Sequence, residues 1–309
     1  MPLTVRPMRP EETERAMEID RVAFGDLQER LTGQPTNLPM REREFFDFWQ
    51  RADPKGALVA ERDGAIIGIN FNHARGRCGW FGPLAVAPGA QSAGVGKALL
   101  RAGMEYLKSA SCELIGLDTY PHNPVSVGMY LKHGFEIVGN TVQLVLADSG
   151  IKADELSAAT DPITVREITT SDLNRIVKME EDLTGFHRRK DFEFLLGWDH
   201  AFGLQAIARN ELAGYLWGYR KRGKGVIGCL HIADEDRCRE IGDALLRVAF
   251  ERFCRLGLNT IVSVNDGAQS RALNLLFDIG FQTQSTMAKF HLGGSRHRSA
   301  HSPLASEKG

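Results

Sequence analysis

Hydrophobic and polar residues follow two different periods along the chain, and these periods predict its secondary structure. Short apolar or alternating runs indicate strands, whereas apolar residues three and four positions apart indicate helices. In the first half, strands are predicted at 3–6, 57–60, 65–72, 84–86, 114–117 and 142–146. Helices are predicted from Pro10, from Val95 and through Tyr130. Residues 25–54 break the pattern, apart from an aromatic run typical of a core, formed by Phe45, Phe46, Phe48 and Trp49.

The same order of elements occurs again in the second half. Ile163-Thr-Val-Arg166 repeats Leu3-Thr-Val-Arg6, and a capped helix and a hairpin at 204–217 follow it. One offset of 146 residues (242 − 96) relates matching positions of the two halves. It pairs Gly68 with Gly214, Gly96 with Gly242, Gly134 with Gly280 and Phe135 with Phe281. We therefore predict two copies of one fold.

The length of 309 residues also favours two domains. A stretch rich in Ala, Ser, Asp and Lys separates the repeats and has no apolar period, which is typical of a linker. We predict a first domain at 1–148, a linker at 149–162 and a second domain at 163–292. The His-, Ser- and Gly-rich residues 293–309 are expected to be a disordered tail.

Charge and cysteine usage exclude several classes of function. The chain has 38 Lys and Arg against 39 Asp and Glu, so no basic field indicates a nucleic acid partner. Its five cysteines form no Cys-x-x-Cys pair, and their odd number favours a reducing compartment without disulfides or zinc. No signal peptide and no apolar run of about 18 residues is present. We expect a cytoplasmic protein with no metal and no membrane partner.

One stretch carries the first chemical signal. The strand Leu84-Ala-Val86 stops before Pro88, and Gln91-x-x-Gly94-x-Gly96 leads into the helix that begins at Val95. The two glycines let bare backbone approach a ligand closely. Free N–H groups at the positive end of a helix dipole form an anion site.

Two common phosphate-binding motifs do not match this turn. A Walker A loop needs glycine in place of Gln91 and Ser or Thr in place of Ala98. A dinucleotide fingerprint needs a small residue in place of Leu99 and an early strand of a parallel unit before it. We therefore predict neither a nucleotide triphosphatase nor a dinucleotide-binding enzyme.

A second motif follows about twenty residues later. It comprises a strand ending near Asp118, an Asn123-Pro124 turn, a helix with Ser126, and Tyr130-x-x-x-Gly-Phe135. Together the two motifs resemble those of the GCN5-related N-acetyltransferases (GNAT). The alternative is a purely structural role, in which Asn123 only caps a helix and Gly134 only ends it.

The resemblance implies two tandem GNAT folds of the α/β (α+β) class, each a mixed, mostly antiparallel sheet flanked by helices. It also implies that the first domain transfers an acetyl group from acetyl-CoA to a primary amine by direct attack. The implied cofactor-binding residues are Leu84, Ala85, Val86, Gln91, Ser92, Ala93, Gly94, Val95, Gly96, Lys97 and Asn123. Lys97 and Arg101 could meet CoA phosphates, and residues 25–54 would form the acceptor wall.

The candidate catalytic residues match the family's pattern less completely than the cofactor-binding residues do. In the family a tyrosine at the position of Tyr130 faces the acetyl sulfur, so Tyr130 is the predicted acid for the departing thiolate. Many relatives carry a glutamate four residues before Leu84, but this chain has Trp80 there. Asp118 is therefore the predicted base. His73, His122 and a water relay to a backbone carbonyl remain alternatives.

The second copy departs from the ligand motif. It reads Arg237-Cys-Arg-Glu240-Ile-Gly242, and Glu240 would repel a pyrophosphate. Leu276 and Gln269 replace the equivalents of Tyr130 and Asn123. We expect a fold without a site, which completes the acceptor wall or an oligomer interface such as that of a homodimer. A small-molecule or a peptide amine, an acyl group other than acetyl, and a non-catalytic CoA-binding sensor all remain open.

Overall fold

The computed structural model describes residues 2–147, 162–233 and 236–293, which form two compact units. Residues 2–138 and 289–293 make the first unit. Residues 139–147, 162–233 and 236–288 make the second. Apart from Pro162 and Gly293, the predicted linker at 149–162 and the predicted tail at 293–309 lie outside the described residues.

The units differ from the predicted linear division at two strands. The prediction places residues 139–147 with the first domain, but in the structure they belong to the second unit. Residues 289–292, predicted in the second domain, and Gly293, predicted in the tail, belong to the first unit instead. The reason is strand pairing over a long sequence separation, since Leu146 lies opposite Ile261 and Thr141 opposite Asp266 in an antiparallel ladder. Local hydrophobic patterns carry no information about such partners.

The first unit contains seven strands or parts of strands and four α-helices among its described residues. Its strands are β1 (Thr4–Pro7), β2 (Leu58–Arg62), β3 (Ala65–Arg75), β4 (Cys78–Val86), β5 (Leu114–Thr119), the start of β6 (Glu136–Leu146) and the end of β12 (Gln282–Gly293). Its helices are α1 (Thr13–Thr32), α2 (Arg43–Ala52), α3 (Val95–Ser109) and α4 (Pro124–Lys132). Six of these strands lie in the order β1-β2-β3-β4-β5-β12.

The second unit repeats this plan. Its strands are most of β6 (Glu136–Leu146), β7 (Ile163–Glu167), β8 (Ala201–Ala208), β9 (Glu211–Lys221), β10 (Lys224–Ile232), β11 (Ile261–Asp266) and the start of β12. Its helices are α5 (Leu173–Thr184), α6 (Arg189–Leu196), α7 (Cys238–Arg255) and α8 (Ser270–Asp278). Among the strands β1–β5, and among β6–β11, the pairing is antiparallel except between β4 and β5 and between β10 and β11. The predicted fold class is confirmed.

Two local features explain where elements turn or end. The Asp63-Gly64 pair between β2 and β3 has positive φ, 54° and 76°, as a tight hairpin turn requires. Helix α1 is longer than its apolar pattern indicates, because it continues through Gly25 to Thr32.

The aromatic run of α2 lies in the core of the first unit. Phe46 and Trp49 are at most 2% exposed, and their rings pack on Phe71 at 5.4 and 5.2 Å. These side chains stabilise the sheet from beneath. The aromatic residues of the predicted acceptor wall therefore serve mainly as packing.

Candidate functional site

The first unit contains a cleft of about 460 Å³ between α1, the end of β4, the turn after β4, and α4. Nine of the predicted cofactor-binding residues line it: Leu84, Ala85, Val86, Gln91, Ser92, Gly94, Gly96, Lys97 and Asn123. The remaining walls come from Ala23, Phe24, Leu27, Arg30, Pro124, Val125, Ser126, Gly128, Met129 and Lys132. Of the other two predicted residues, Ala93 is exposed outside the lining, and the Val95 side chain is buried in the core.

The end of β4 forms one wall because β4 and β5 separate. They pair in parallel from Cys78 to Trp80, opposite residues 114–116. Beyond this point Leu84, Ala85 and Val86 pair with β3 alone, opposite residues 68–70. The opposite edge of residues 84–86 therefore faces the cleft, where an extended ligand can pair with the backbone.

The turn before α3 forms the end of the cleft. Gly94 precedes the helix with φ +80°, a left-handed conformation that favours glycine. The first N–H groups of a helix have no partner within the helix. The first turn of α3 carries no acidic residue, and Lys97 is exposed there. This local charge arrangement suits an anion.

Asn123 begins the opposite wall and has a structural role as well. Its side chain accepts a hydrogen bond from the Ser126 amide at 3.4 Å and donates to the Ser126 hydroxyl at 2.9 Å, so it caps α4. It also lines the cleft. The cap interpretation and the cofactor-binding interpretation are therefore compatible.

The two predicted catalytic residues are buried beside the cleft and do not form its lining. Tyr130 is 7% exposed and packs against the rings of Phe81, Phe135 and Phe290, with centroids 5.8–6.2 Å away. Burial raises the pKa of its phenol above the ordinary value of about 10, so the phenol remains protonated at neutral pH. Asp118 lies on β5 and is 8% exposed. Both roles stay predictions.

The alternative bases lie in two different environments. His73 is buried, its Nε2 lies 2.9 Å from the Gly82 carbonyl oxygen, and its ring contacts Trp49. His122 is exposed in the turn after β5. Trp80, which stands where many GNAT relatives have a glutamate, is 1% exposed and supplies packing in its place.

The sequence did not identify the side chains that two helices contribute to the cleft. Phe24, Leu27 and Arg30 project from α1, and Met129 and Lys132 project from α4. Arg101, considered for CoA phosphates, is exposed but does not line the cleft. The spacing of Ala23, Phe24, Leu27 and Arg30, at i, i+1, i+4 and i+7, was a usable signal for one helical face, but Gly25 obscured it.

The equivalent region of the second unit is closed. A Cβ added at Gly242 would lie 2.2 Å from Leu275 Cδ2, so α7 and α8 pack directly on each other. At the equivalent Gly96, the nearest atom to such a Cβ is the Met129 sulfur at 3.7 Å. Glu240 lies in the first turn of α7, where Arg237 donates to it at 2.8 Å. Glu240 thus places a negative charge in the first turn of α7, at the positive end of its helix dipole.

Among the described residues, no three His, Cys, Asp or Glu side chains cluster closely enough to hold a metal ion. In the same residues, no helix combines the length and apolar character needed to cross a membrane.

Comparison with known proteins agrees with this geometry. Residues 22–135 match the acetyltransferase (GNAT) family. Mycothiol acetyltransferase from Stackebrandtia nassauensis is 33% identical over 140 residues, which cover 43% of this chain and 44% of that protein. The same enzyme from Streptomyces griseus is 32% identical over 136 residues, covering 43% of each. The matches thus span less than half the length of these curated relatives.

Solved structures extend the likeness to both units. A tandem GNAT protein from the clavulanic acid biosynthesis pathway has a TM-score of 0.69 at 14% identity, covering 95% of this chain and 99% of that chain. A GCN5-related N-acetyltransferase from Sphaerobacter thermophilus has a TM-score of 0.64 at 16% identity, covering 98% of each. Such low identities establish the fold alone. Residues 22–135 are therefore similar to the acetyltransferase (GNAT) family, and the chain has the fold of a tandem GNAT protein.

Proposed function

We propose that the chain is an acetyl-CoA-dependent N-acetyltransferase in which the first unit binds the cofactor and a primary amine. One observation carries the proposal: the cleft joins an unpaired strand edge at 84–86 to an anion site at the start of α3. An extended thioester arm ending in phosphates requires these two features together. The family match and the acetyltransferase relatives support the same reaction class.

The residues divide the reaction between binding and proton transfer. The amides of residues 92–97 bind the pyrophosphate, and the edge of residues 84–86 pairs with the pantetheine arm. The Leu84 amide donates to the thioester oxygen. The amine nitrogen then bonds to the carbonyl carbon as the carbon–sulfur bond breaks. Asp118 accepts the ammonium proton, and Tyr130 protonates the departing thiolate.

Acceptor-dependent release of free thiol tests this proposal. The chain is incubated with acetyl-CoA and a panel of small-molecule and peptide amines, and the acetylated product is identified by mass spectrometry. We expect thiol release with at least one class of amine, together with a product heavier by one acetyl group. Tight CoA binding without release for any amine would indicate a CoA-binding sensor and overturn the proposal.

A further inference from the structure

The first helix of each unit meets a glycine at the same place, but only α1 continues through it. Glu12 pairs with Arg6 just before α1, and Asp172 pairs with Arg166 just before α5. Gly25 and Gly185 both lie 13 residues after these carboxylates (25 − 12 and 185 − 172). Gly185 ends α5 with φ +82°. Gly25 remains helical, and α1 ends later, at Gly33 with φ +70°.

The additional segment 26–32, which we call the α1 extension, faces the cleft. Leu27 and Arg30 line it. Arg30 donates to the Asp26 carboxylate at 2.9 Å. Because a glycine within a helix costs about 0.5–1 kcal/mol relative to alanine, interactions elsewhere must hold the extension in helical form.

Hydrogen bonds connect the α1 extension to both sides of the cleft. On the anion-site side, Gln91 donates to the Asp26 carboxylate at 3.4 Å and to the Val86 carbonyl at 3.2 Å. On the other side, partial burial of Tyr120 raises the pKa of its phenol, and Gln28 forms a side-chain hydrogen bond with it. Tyr120 lies just before the turn that carries Asn123. The extension therefore spans the cleft from the start of the anion site to the start of α4.

Arg30 places a cation on the wall opposite α4. Its side chain is 52% exposed, and the exposed Lys97 and Lys132 line the same cleft. A guanidinium has five N–H donors, so Arg30 can keep Asp26 and still donate to a second anion. Its planar fork suits phosphate oxygens. Asp26 acts as a positioning residue, since it orients both Arg30 and Gln91.

We propose that the α1 extension is a cofactor clamp in which Arg30 binds a phosphate group of CoA. The inference rests on the proposed function for the identity of the ligand. It adds a phosphate contact from α1 to those of the turn before α3. In the described part of the second unit, the first helix ends at Gly185 and α7 and α8 pack directly on each other, so neither the extension nor an open groove between these two helices is formed.

Calorimetric titration of Arg30→Ala and Arg30→Lys variants with CoA tests the clamp. We expect about tenfold weaker binding for Arg30→Ala, which corresponds to the loss of one charge-assisted hydrogen bond. Arg30→Lys should lose less, because it keeps the charge without the fork. Arg21→Ala is the matched control, since Arg21 lies on the same helix, pairs with Glu18 at 2.7 Å and lies outside the cleft. It should bind CoA as the parent does.

Truncated ligands show which phosphate Arg30 contacts. If Arg30→Ala and the parent bind 3′-dephospho-CoA equally well, Arg30 contacts the 3′-phosphate. If Arg30→Ala binds 3′-dephospho-CoA more weakly than the parent but binds pantetheine equally well, as measured by competition, Arg30 contacts the diphosphate. An equal loss with pantetheine, or no loss with CoA, overturns the clamp.

The same titrations separate this inference from the proposed function. Arg30-dependent CoA binding without acceptor-dependent thiol release would contradict catalysis and leave the clamp supported. Turnover with an unaffected Arg30→Ala variant would remove the clamp alone. Absence of CoA binding in the parent chain would remove both. Far-ultraviolet circular dichroism of each variant establishes that it is folded.

Discussion

The two units share one fold and differ at one groove between two helices. In the first unit a Cβ at Gly96 would approach the Met129 sulfur at 3.7 Å, an ordinary contact distance. In the second unit the same atom at Gly242 would overlap Leu275 at 2.2 Å. The comparison shows that one core side chain can fill this groove while the sheet and helices remain.

The N-terminal ends of α3 and α7 differ in whether the chain itself supplies a negative charge there. The turn at Gly94 presents helix N–H groups to the cleft, with no acidic residue in the first turn of α3. In α7 the carboxylate of Glu240 occupies the first turn and is held by Arg237. A helix N-terminus favours negative charge in either case. The second unit supplies that charge itself, whereas the first turn of α3 contains no acidic residue and stays available to an anion.

The largest effect is expected when Gly94 is replaced by Glu, the residue that the second unit has at the equivalent position 240. In Gly94→Glu a carboxylate lies beside the phosphate site, and like charges in a close contact cost several kcal/mol. We expect acetyl-CoA affinity to fall by more than about 100-fold in calorimetric titration.

Gly94→Ala is the control for backbone strain. An alanine at φ +80° should lower folding stability by about 1–2 kcal/mol, but it adds no charge. Its affinity should fall much less than that of Gly94→Glu. Binding by Gly94→Glu within tenfold of the parent would show that charge at this turn does not distinguish the units.

The next largest effect concerns the end of β12, which comes from the second repeat but belongs to the first unit. Phe290 is fully buried against Tyr130, so Phe290→Ala should lower the free energy of unfolding by about 3–5 kcal/mol in denaturant titration. A chain ending at residue 147 lacks residues 289–293 and should aggregate.

Phe277→Ala is the matched control, because Phe277 is 42% exposed. It should change the free energy of unfolding by less than about 0.5 kcal/mol. Equal losses in the two variants, or a soluble and stable chain 1–147, would mean that the first repeat completes its own core.

A smaller effect is expected when alanine replaces either of two equivalent glycines, Gly96 on α3 or Gly242 on α7. Gly242→Ala forces a Cβ against Leu275 and should lower the free energy of unfolding by about 1–3 kcal/mol. Gly96→Ala meets no such overlap and should be neutral, or stabilise α3 by up to about 1 kcal/mol. Thermal and denaturant unfolding measure both. Equal destabilisation would contradict the claim that only the second groove is filled.

The smallest effect is expected at Tyr130, whose equivalent in the second unit is Leu276. Tyr130→Phe keeps the packing against Phe81, Phe135 and Phe290 and removes the proton donor. We expect kcat to fall at least about tenfold, with acetyl-CoA affinity nearly unchanged.

Steady-state and single-turnover kinetics check this under conditions where chemistry is rate-limiting. Tyr106→Phe provides a control for the loss of a phenol elsewhere in the unit, because Tyr106 donates to Asp53 at 2.8 Å and does not line the cleft. It should change stability more than kcat. A Tyr130→Phe variant within about twofold of the parent in kcat would make Tyr130 a packing residue.

Local patterns predicted most strands and helices of the first unit and the backbone that faces its cleft, while the fold class came from the resemblance to the GNAT family. The strand at 84–86, the turn through Gly94 and the cap at Asn123 each depend on neighbouring residues, which the sequence displays directly. The constant offset of the repeats also indicated the second fold. The fold class is confirmed, while the roles of the site residues remain predictions.

Features that depend on distant partners were not predictable in the same way. Gly25 suggested the end of a helix, as Gly185 does in the second unit, but contacts of Asp26 and Gln28 with other elements keep α1 helical to Thr32. The pairing of Leu146 with Ile261 is likewise invisible to local periodicity. The filling of the second groove was readable in principle, since the 146-residue offset pairs Leu275 with Met129. Its effect depends on a packing distance that a sequence does not contain.

The most direct test of the central claim is the stoichiometry of acetyl-CoA binding to the full chain. The first unit has an open cleft, and the second has Leu275 in the groove and Glu240 at the helix end. Isothermal titration calorimetry should therefore give one site per chain. It should give none in Gly94→Glu. A stoichiometry of two, or one site that survives Gly94→Glu, would contradict the claim that the units differ in this way.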